Sequence, residues 1–238
     1  MPTPHALELH ENCAACSWRS KGFFCNVPAV ELKSFEAVKY TKAYPTAAIL
    51  FAEGQASYGV HLLCEGRIKL AMTSPDGKAV ILRFAEPGEL LGLNSTITGR
   101  PYEFTTETME PCQVNFVMRK AFLRILAQDR AFWVQVTEQL SSDCSIACNQ
   151  IRSLALSRSA VEKMARFLLD RAVKGRQTNR GIQMNLPFTH EDIGQAVGVT
   201  RETATRTLTE LKDRMLITMN GATIVILNRP GLQALVAA

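Results

Sequence analysis

From Arg119 through Lys174 the chain contains neither Gly nor Pro. A run that long without the two residues that most readily interrupt a helix predicts consecutive helices. The stretch before it has the opposite texture. From Pro45 to about Val117, strand-length apolar segments alternate with Gly54, Gly59, Gly66, Pro75-Asp76-Gly77 and Pro87-Gly88. Asp76-Gly77 between two apolar segments is a hairpin signal, and several short strands at this spacing predict a roll or sandwich. The expected fold class is therefore α+β, with an antiparallel β-roll followed by helices.

The segments on either side complete the layout. Residues 1–28 form a Cys-rich arm. Residues 29–43, with Val30, Leu32, Phe35, Val38 and Tyr40 among charges, read as a short helix leading into a sensor domain at 29–128. A short helix over Lys120–Ala127 precedes a long one over 129–157. There Val136, Leu140, Ala147, Ile151 and Leu154 recur at helical spacing, the pattern of a two-stranded dimerisation seam. Packing against the chain's own barrel is the alternative, since Ile146, Asn149 and Ser153 offer a competing face. The last domain, 158–238, opens with a helix from about Ser159 to Val173 and the linker KGRQTNRG. It closes with LITMNGATIVILN, a hairpin around Asn220-Gly221.

The net charge of +5 is concentrated in this last domain. Residues 157–238 carry twelve Lys/Arg against seven Asp/Glu, and the body before them is neutral. A basic third on a neutral body suits a polyanionic partner. No apolar run is long enough to span a membrane and no secretory leader is visible, so a cytoplasmic protein is expected. Seven cysteines without such a leader argue against a disulfide scaffold and for metal, cluster or thiol chemistry.

Residues 189–215, THEDIGQAVGVTRETATRTLTELKDRM, carry the sharpest pattern. Thr189 can cap a first helix with Asp192 in its first turn. Ile193, Ala196 and Val197 form that helix's inner face, and Gly198 permits a tight corner. Thr200 caps a second helix whose core face is Ala204, Leu208 and Leu211. Arg201, Glu202, Thr205 and Arg206 then lie on the outer face at the end that enters a major groove. Arg can pair with guanine and Glu with cytosine, while Thr189, His190 and Thr200 suit phosphate contacts.

The stretch DIGQAVGVTRETATRTLTELKDRMLI resembles the CRP/FNR superfamily of transcription regulators, and the likeness runs over nearly the whole chain. It implies a cyclic-nucleotide-binding-like β-roll (a double-stranded β-helix or jelly roll), a long dimerisation helix and a C-terminal winged helix-turn-helix. It also implies a homodimeric activator that binds double-stranded DNA at a palindromic operator and meets RNA polymerase. Glu202-x-x-Thr205-Arg206 is similar to the Glu-x-x-Ser-Arg of the FNR branch, which suggests TTGAT-like half-sites. The cyclic-nucleotide branch requires Gly-Glu-Leu followed by Arg-Ser. Gly88-Glu89-Leu90 is present, but no Arg-Ser follows and Arg100 is the nearest cation. Cyclic AMP is therefore not the expected signal.

In the FNR branch, three arm cysteines and one in the roll hold an oxygen-sensitive [4Fe–4S] cluster. The resemblance assigns Cys13, Cys16, Cys25 and Cys112 to those roles, although eight residues separate Cys16 from Cys25 where the branch commonly has five. Zinc, a thiol switch or no cofactor are the alternatives. Cys64, Cys144 and Cys148 read as core residues, and His10 as a surface residue near the arm. No nucleophile elbow, P-loop, GxGxxG or HExxH occurs, so an enzyme is not expected.

Overall fold

The structure is a computed structural model and describes residues 9, 12–16 and 24–237. His10 lies outside the described residues. The chain divides into two compact units, residues 1–78 with 82–146, and residues 79–81 with 147–238.

The first unit is built on two four-stranded antiparallel sheets. After helix α1 (Ala29–Glu36) come β1 (Tyr40–Tyr44), β2 (Ile49–Phe51), β3 (Gly59–Glu65), β4 (Ile68–Thr73), β5 (Ala79–Ala85) and β6 (Leu90–Leu91). Helix α2 (Leu93–Thr98) follows, then β7 (Thr105–Thr108) and β8 (Cys112–Met118). The sheet orders are β1-β8-β3-β6 and β2-β7-β4-β5. The helix expected over 29–43 ends at Glu36. From Tyr40 the chain is instead a strand, paired antiparallel with β8 from Tyr40↔Phe116 to Tyr44↔Cys112. Asp76-Gly77 forms the β4–β5 turn, with Gly77 at φ +83.

Side chains alternate across a strand, so the first sheet has two distinct faces. Val60 and Leu62 of β3 and Val117 of β8 pack with Phe24, Phe35, Phe122, Phe132 and Val136, and Cys64 lies against this cluster. Leu63, Val114 and Cys112 face the roll interior with Phe51, Ile68, Leu70 and Tyr102. The first cluster fixes Phe24. Phe24 sits 5.0 Å from both Phe35 and Phe132, ring to ring, and its amide donates to the Gly88 carbonyl at 3.1 Å.

Helix α3 (Arg119–Gln128) leads to α4 (Arg130–Leu156), whose start is capped by Asp129 accepting from the Ala131 amide at 2.8 Å. The stripe expected as a dimer seam shares one side of α4 but is not uniformly open, because it lies between a buried row and an exposed one. Val136 is fully buried in its own roll cluster and Leu140 packs beside it. Ala147 is half-buried and Leu154 lies under Gly198, while Ile151 alone of the five is exposed. Two opposed rows on either side of the stripe account for its mixed burial. Phe132, Val136, Gln139, Asp143, Ile146, Gln150 and Ser153 are buried or half-buried. Val134, Thr137, Ser141, Cys144, Cys148, Ile151 and Ala155 are all exposed. Gln139 fixes the first row: its amide oxygen accepts from Leu90 N at 2.9 Å and its amide nitrogen donates to Leu90 O at 2.6 Å.

The second unit contains α5 (Ala160–Ala172), β9 (Arg176–Thr178), β10 (Gly181–Asn185), α6 (His190–Val197) and α7 (Arg201–Asp213). It ends with β11 (Ile217–Asn220), β12 (Thr223–Ile226) and α8 (Arg229–Ala237). Its sheet runs β11-β12-β10-β9. The stretch read as a linker is thus a hairpin: Arg176-Gln177-Thr178 pairs with Gly181-Ile182-Gln183, and Thr178 Oγ1 donates to Gly181 O at 2.7 Å across the turn. Among the described residues no helix is long and apolar enough to cross a membrane.

Candidate nucleic-acid interface

The reading helix is placed by local chemistry. Thr189 and Asp192 form a reciprocal cap: Asp192 N donates to Thr189 Oγ1 at 3.0 Å, and Thr189 N donates to Asp192 Oδ2 at 3.0 Å. Helix α6 then ends at Gly198, whose φ of +71 is the left-handed conformation glycine adopts at no steric cost. The Val199 amide donates back to Gly194 O at 2.9 Å, and Thr200 Oγ1 accepts from Thr203 N at 3.2 Å to start α7. Gly194 is the residue that sequence reading missed. A β-carbon there would lie 2.9 Å from Val199 O and 3.3 Å from the Thr200 carbonyl, so this position sets how closely α6 approaches the corner. Its spacing four residues ahead of Gly198 was the available signal.

Helix α7 separates its two faces as expected. Ala204, Thr207, Leu208 and Leu211 are buried, whereas Arg201, Glu202, Thr205 and Arg206 are exposed. Thr189 and Thr200 are exposed beside them and His190 is half-buried. His190 Nδ1 lies 2.8 Å from Thr205 Oγ1, and that hydroxyl donates to Arg201 O at 2.9 Å. The Thr205 hydroxyl is thus held between the His190 ring and the Arg201 carbonyl. Glu202 is fully exposed, with its carboxyl held below the ordinary value by its own backbone amide and then by the Thr200 hydroxyl; it is an ionised acceptor at neutral pH.

A second basic element, absent from the sequence reading, lies on the sheet of this unit. Arg176 and Arg180 are exposed on the β9–β10 hairpin and line a groove with Thr218, Asn220 and Thr223 from the other hairpin. Such side chains suit phosphate contacts, which position a protein on a duplex without specifying sequence.

The arm thiols occupy the other unit. Cys13 N donates to Glu36 Oε1 at 2.6 Å, and Lys39 Nζ donates to Cys13 Sγ at 3.4 Å. Cys13, Cys25 and Cys64 all pack against the cluster on the outer face of the first sheet. A chain of backbone bonds joins them: Phe24, next to Cys25, donates to Gly88 O, and Gly88 N donates at 2.7 Å to Leu63 O, next to Cys64. Burial pushes the Cys13 thiol up and Cys25 up to about 12; neighbouring thiols also raise Cys25 and Cys64. Cys112 is elsewhere. It shares strand parity with Val114 and Phe116, faces the roll interior, and its Sγ donates to Glu110 O at 3.1 Å and Arg67 O at 3.4 Å. The structure thus packs Cys13 and Cys25 on the same cluster as Cys64 and leaves Cys112 on the opposite face of the sheet. Among the described residues no three Cys, His, Asp or Glu side chains converge closely enough to hold one ion.

Cys144 and Cys148, read as core residues, are both exposed. Glu89 of the Gly88-Glu89-Leu90 turn is bonded to Arg83, which also meets Asp143 at 3.0 Å. That carboxylate is already neutralised by the protein. Arg100 is exposed.

A reciprocally capped helix, a left-handed glycine corner, an amphipathic second helix and a flanking β-hairpin together define a winged helix-turn-helix, the reading head of a DNA-binding regulator. Comparisons with known proteins agree with this class. Residues 162–235 match the Crp-like helix-turn-helix domain and residues 41–129 the cyclic nucleotide-binding domain. The chain is 28% identical over 226 residues to the transcriptional activatory protein AadR of Rhodopseudomonas palustris, covering 94% of this chain and 92% of that one. It is 28% identical over 231 residues to the nitrogen fixation regulation protein FixK of Bradyrhizobium diazoefficiens, covering 95% and 94%. The structure of FixK2 from Bradyrhizobium japonicum superposes with a TM-score of 0.73 at 25% identity, covering 84% of this chain and 98% of that one. The chain belongs to the CRP/FNR family: it is a DNA-binding transcription regulator, not an enzyme.

Proposed function

We propose that the chain acts as a homodimer on a palindromic operator, each copy reading one half-site through the first turns of α7. The carrying observation is the exposure of Arg201, Glu202, Thr205 and Arg206 over the buried Ala204, Leu208 and Leu211. Half-sites similar to TTGAT, activation as in the name of AadR, and contact with RNA polymerase belong to the same reading. Arg206→Ala tests it by fluorescence anisotropy. It is expected to cost about 1–3 kcal/mol on the specific site and to relax base preference. An equal loss on random DNA contradicts base reading.

The signal enters, in this reading, at the arm. Cys112, the expected fourth ligand, faces the roll interior, so Cys64 on the arm's side of the sheet is the alternative fourth thiol. Cys13, Cys16 and Cys25, with Cys112 or Cys64 as the fourth thiolate, would have to draw together to hold an oxygen-sensitive [4Fe–4S] centre. The same thiols also suit zinc or a thiol switch. Metal and sulfide analysis after anaerobic purification separates these.

A small ligand within the roll is the second reading. A cavity of about 320 Å³ is lined by Tyr44, Phe51, His61, Tyr102 and Phe116, with Lys42 at its rim, and ligand sites of this size are usual. Titration calorimetry with cyclic AMP is expected to show no binding, since Glu89 is engaged by Arg83. Micromolar binding overturns that expectation.

A further inference from the structure

The outward row of α4 runs Val134, Thr137, Ser141, Cys144, Cys148, Ile151, Ala155, at alternating spacings of three and four. All seven are exposed and uncharged. That is the heptad spacing of a two-stranded coiled coil. The opposite row is committed to the chain's own core, through Phe132, Val136 and Gln139. The outward residues are mostly small, which allows two backbones to approach closely. Glu138 and Arg152 each follow a seam residue, the flanking place where charges border such a contact. Of the seven cysteines, only Cys144 and Cys148 are exposed, and both lie on this row.

We propose that Cys144 and Cys148 form an oxidisable lock across the homodimer, in which each thiol faces its own copy along a parallel seam. This rests on the homodimer reading given above. In a two-fold parallel seam every core position meets its equivalent. Helix axes about 8–10 Å apart, with Cα atoms about 2.3 Å from each axis, leave directly facing Cα atoms about 3.4–5.4 Å apart, the upper part of which overlaps disulfide reach. A disulfide needs about 4.4–6.8 Å.

The oxidant is a peroxide. One thiolate attacks the O–O bond, giving a sulfenic acid and, after proton transfer, water. The facing thiol then attacks the sulfenic sulfur, the S–S bond forms and a second water leaves. Two thiols are oxidised by two electrons and one peroxide is reduced. Joining the copies makes dimer formation intramolecular, so operator binding persists at dilutions where the reduced dimer separates.

The test uses the full chain, reduced, desalted and treated with hydrogen peroxide. A non-reducing gel is expected to show a band at twice the 26.3 kDa chain mass, reversed by dithiothreitol. Cys13→Ser/Cys16→Ser/Cys25→Ser keeps this band and Cys144→Ser/Cys148→Ser loses it. Each single variant, Cys144→Ser or Cys148→Ser, keeps it, because the remaining thiol still meets its copy. Oxidised protein is expected to bind operator at concentrations at least about tenfold lower than reduced protein.

Sedimentation in reductant measures the dimer separately. No reduced dimer at micromolar concentration overturns the homodimer reading and the lock with it. A reduced dimer that gives no band, a band that survives in Cys144→Ser/Cys148→Ser, or single variants that both fail overturns the lock alone.

Discussion

Gly194→Ala separates the positioning of the reading helix from its chemistry, because two opposing effects act at one atom. Replacing a glycine by alanine within a helix stabilises by about 0.8–1.0 kcal/mol. Against this, the new methyl would sit 2.9 Å from Val199 O and 3.3 Å from the Thr200 carbonyl. Both neighbours are backbone, so the turn must move. Overpacking of this kind costs about 1–3 kcal/mol. Clash exceeds propensity, and the expected net is a loss of about 1 kcal/mol. A domain stable by about 5–15 kcal/mol remains folded after such a loss. Any fall in operator affinity therefore reports displacement of α7, whose cap, Thr200, is the group pushed. At least about a fivefold weakening is expected, about 1 kcal/mol, measured by anisotropy alongside urea denaturation. Gly77→Ala is the control: it has φ +83 and no atom within 4 Å of the new β-carbon. It should lose stability through backbone strain and keep full affinity. A raised denaturation midpoint with unchanged operator binding in Gly194→Ala would refute the argument.

His61 makes stability depend on pH. Burial pushes its imidazole down to about 4, against about 6.5 in an unfolded chain, so the unfolded state binds the proton more readily. Its share of stability is full above about pH 6.5 and is lost as pH falls toward 4, about 2 kcal/mol of it by pH 5. Denaturation at pH 7.5 and pH 5 should show this difference, and His61→Phe, placed among Phe51, Tyr102 and Phe116, should reduce it; the same pH dependence in both proteins contradicts the assignment. For the arm, iron, sulfide and zinc content should fall in Cys64→Ser as it does in Cys13→Ser and hold in Cys112→Ser. The reverse pattern restores Cys112 as the fourth ligand, and metal-free wild-type protein removes the metal reading altogether.

The reading head was legible because its determinants are local. Capping residues, a corner glycine and a four-residue apolar period all lie within Thr189–Leu211. The first unit was legible in kind but not in detail, since strand identity there is decided by pairing. Tyr40–Tyr44 carries charge and no clean alternation, and it becomes a strand only because β8 lies beside it. The same holds for Arg176–Thr178, which composition marks as linker and β10 makes a hairpin. The face on which Cys112 lies was illegible for a simpler reason. A likeness in sequence assigns a position along a strand, but the face follows from parity, and one residue reverses it. The apolar stripe of α4 was also ambiguous, because a helix that packs on its own chain along one row and leaves the opposite row open carries two interleaved periods.

Under the proposal that the signal enters at the arm, those two rows provide a route from the arm to the outer face of α4. Cys25 is adjacent to Phe24, and the Phe24 ring stacks at 5.0 Å on Phe132 of the inward row, four residues before Val136 in the same cluster. Burying a phenylalanine contributes about 1.5–3 kcal/mol, and allosteric couplings are typically about 1–3 kcal/mol. Docking or release of one ring is therefore sufficient to shift the seating of the helix by a useful amount. Because α4 is a single helix, a rotation that moves Phe132 or Val136 also turns Val134 and Thr137 through the same angle. The outward row therefore need not touch the arm to respond to it. On this reasoning the arm's influence should depend on the aromatic contact at Phe24 as much as on the identity of whatever binds the thiols.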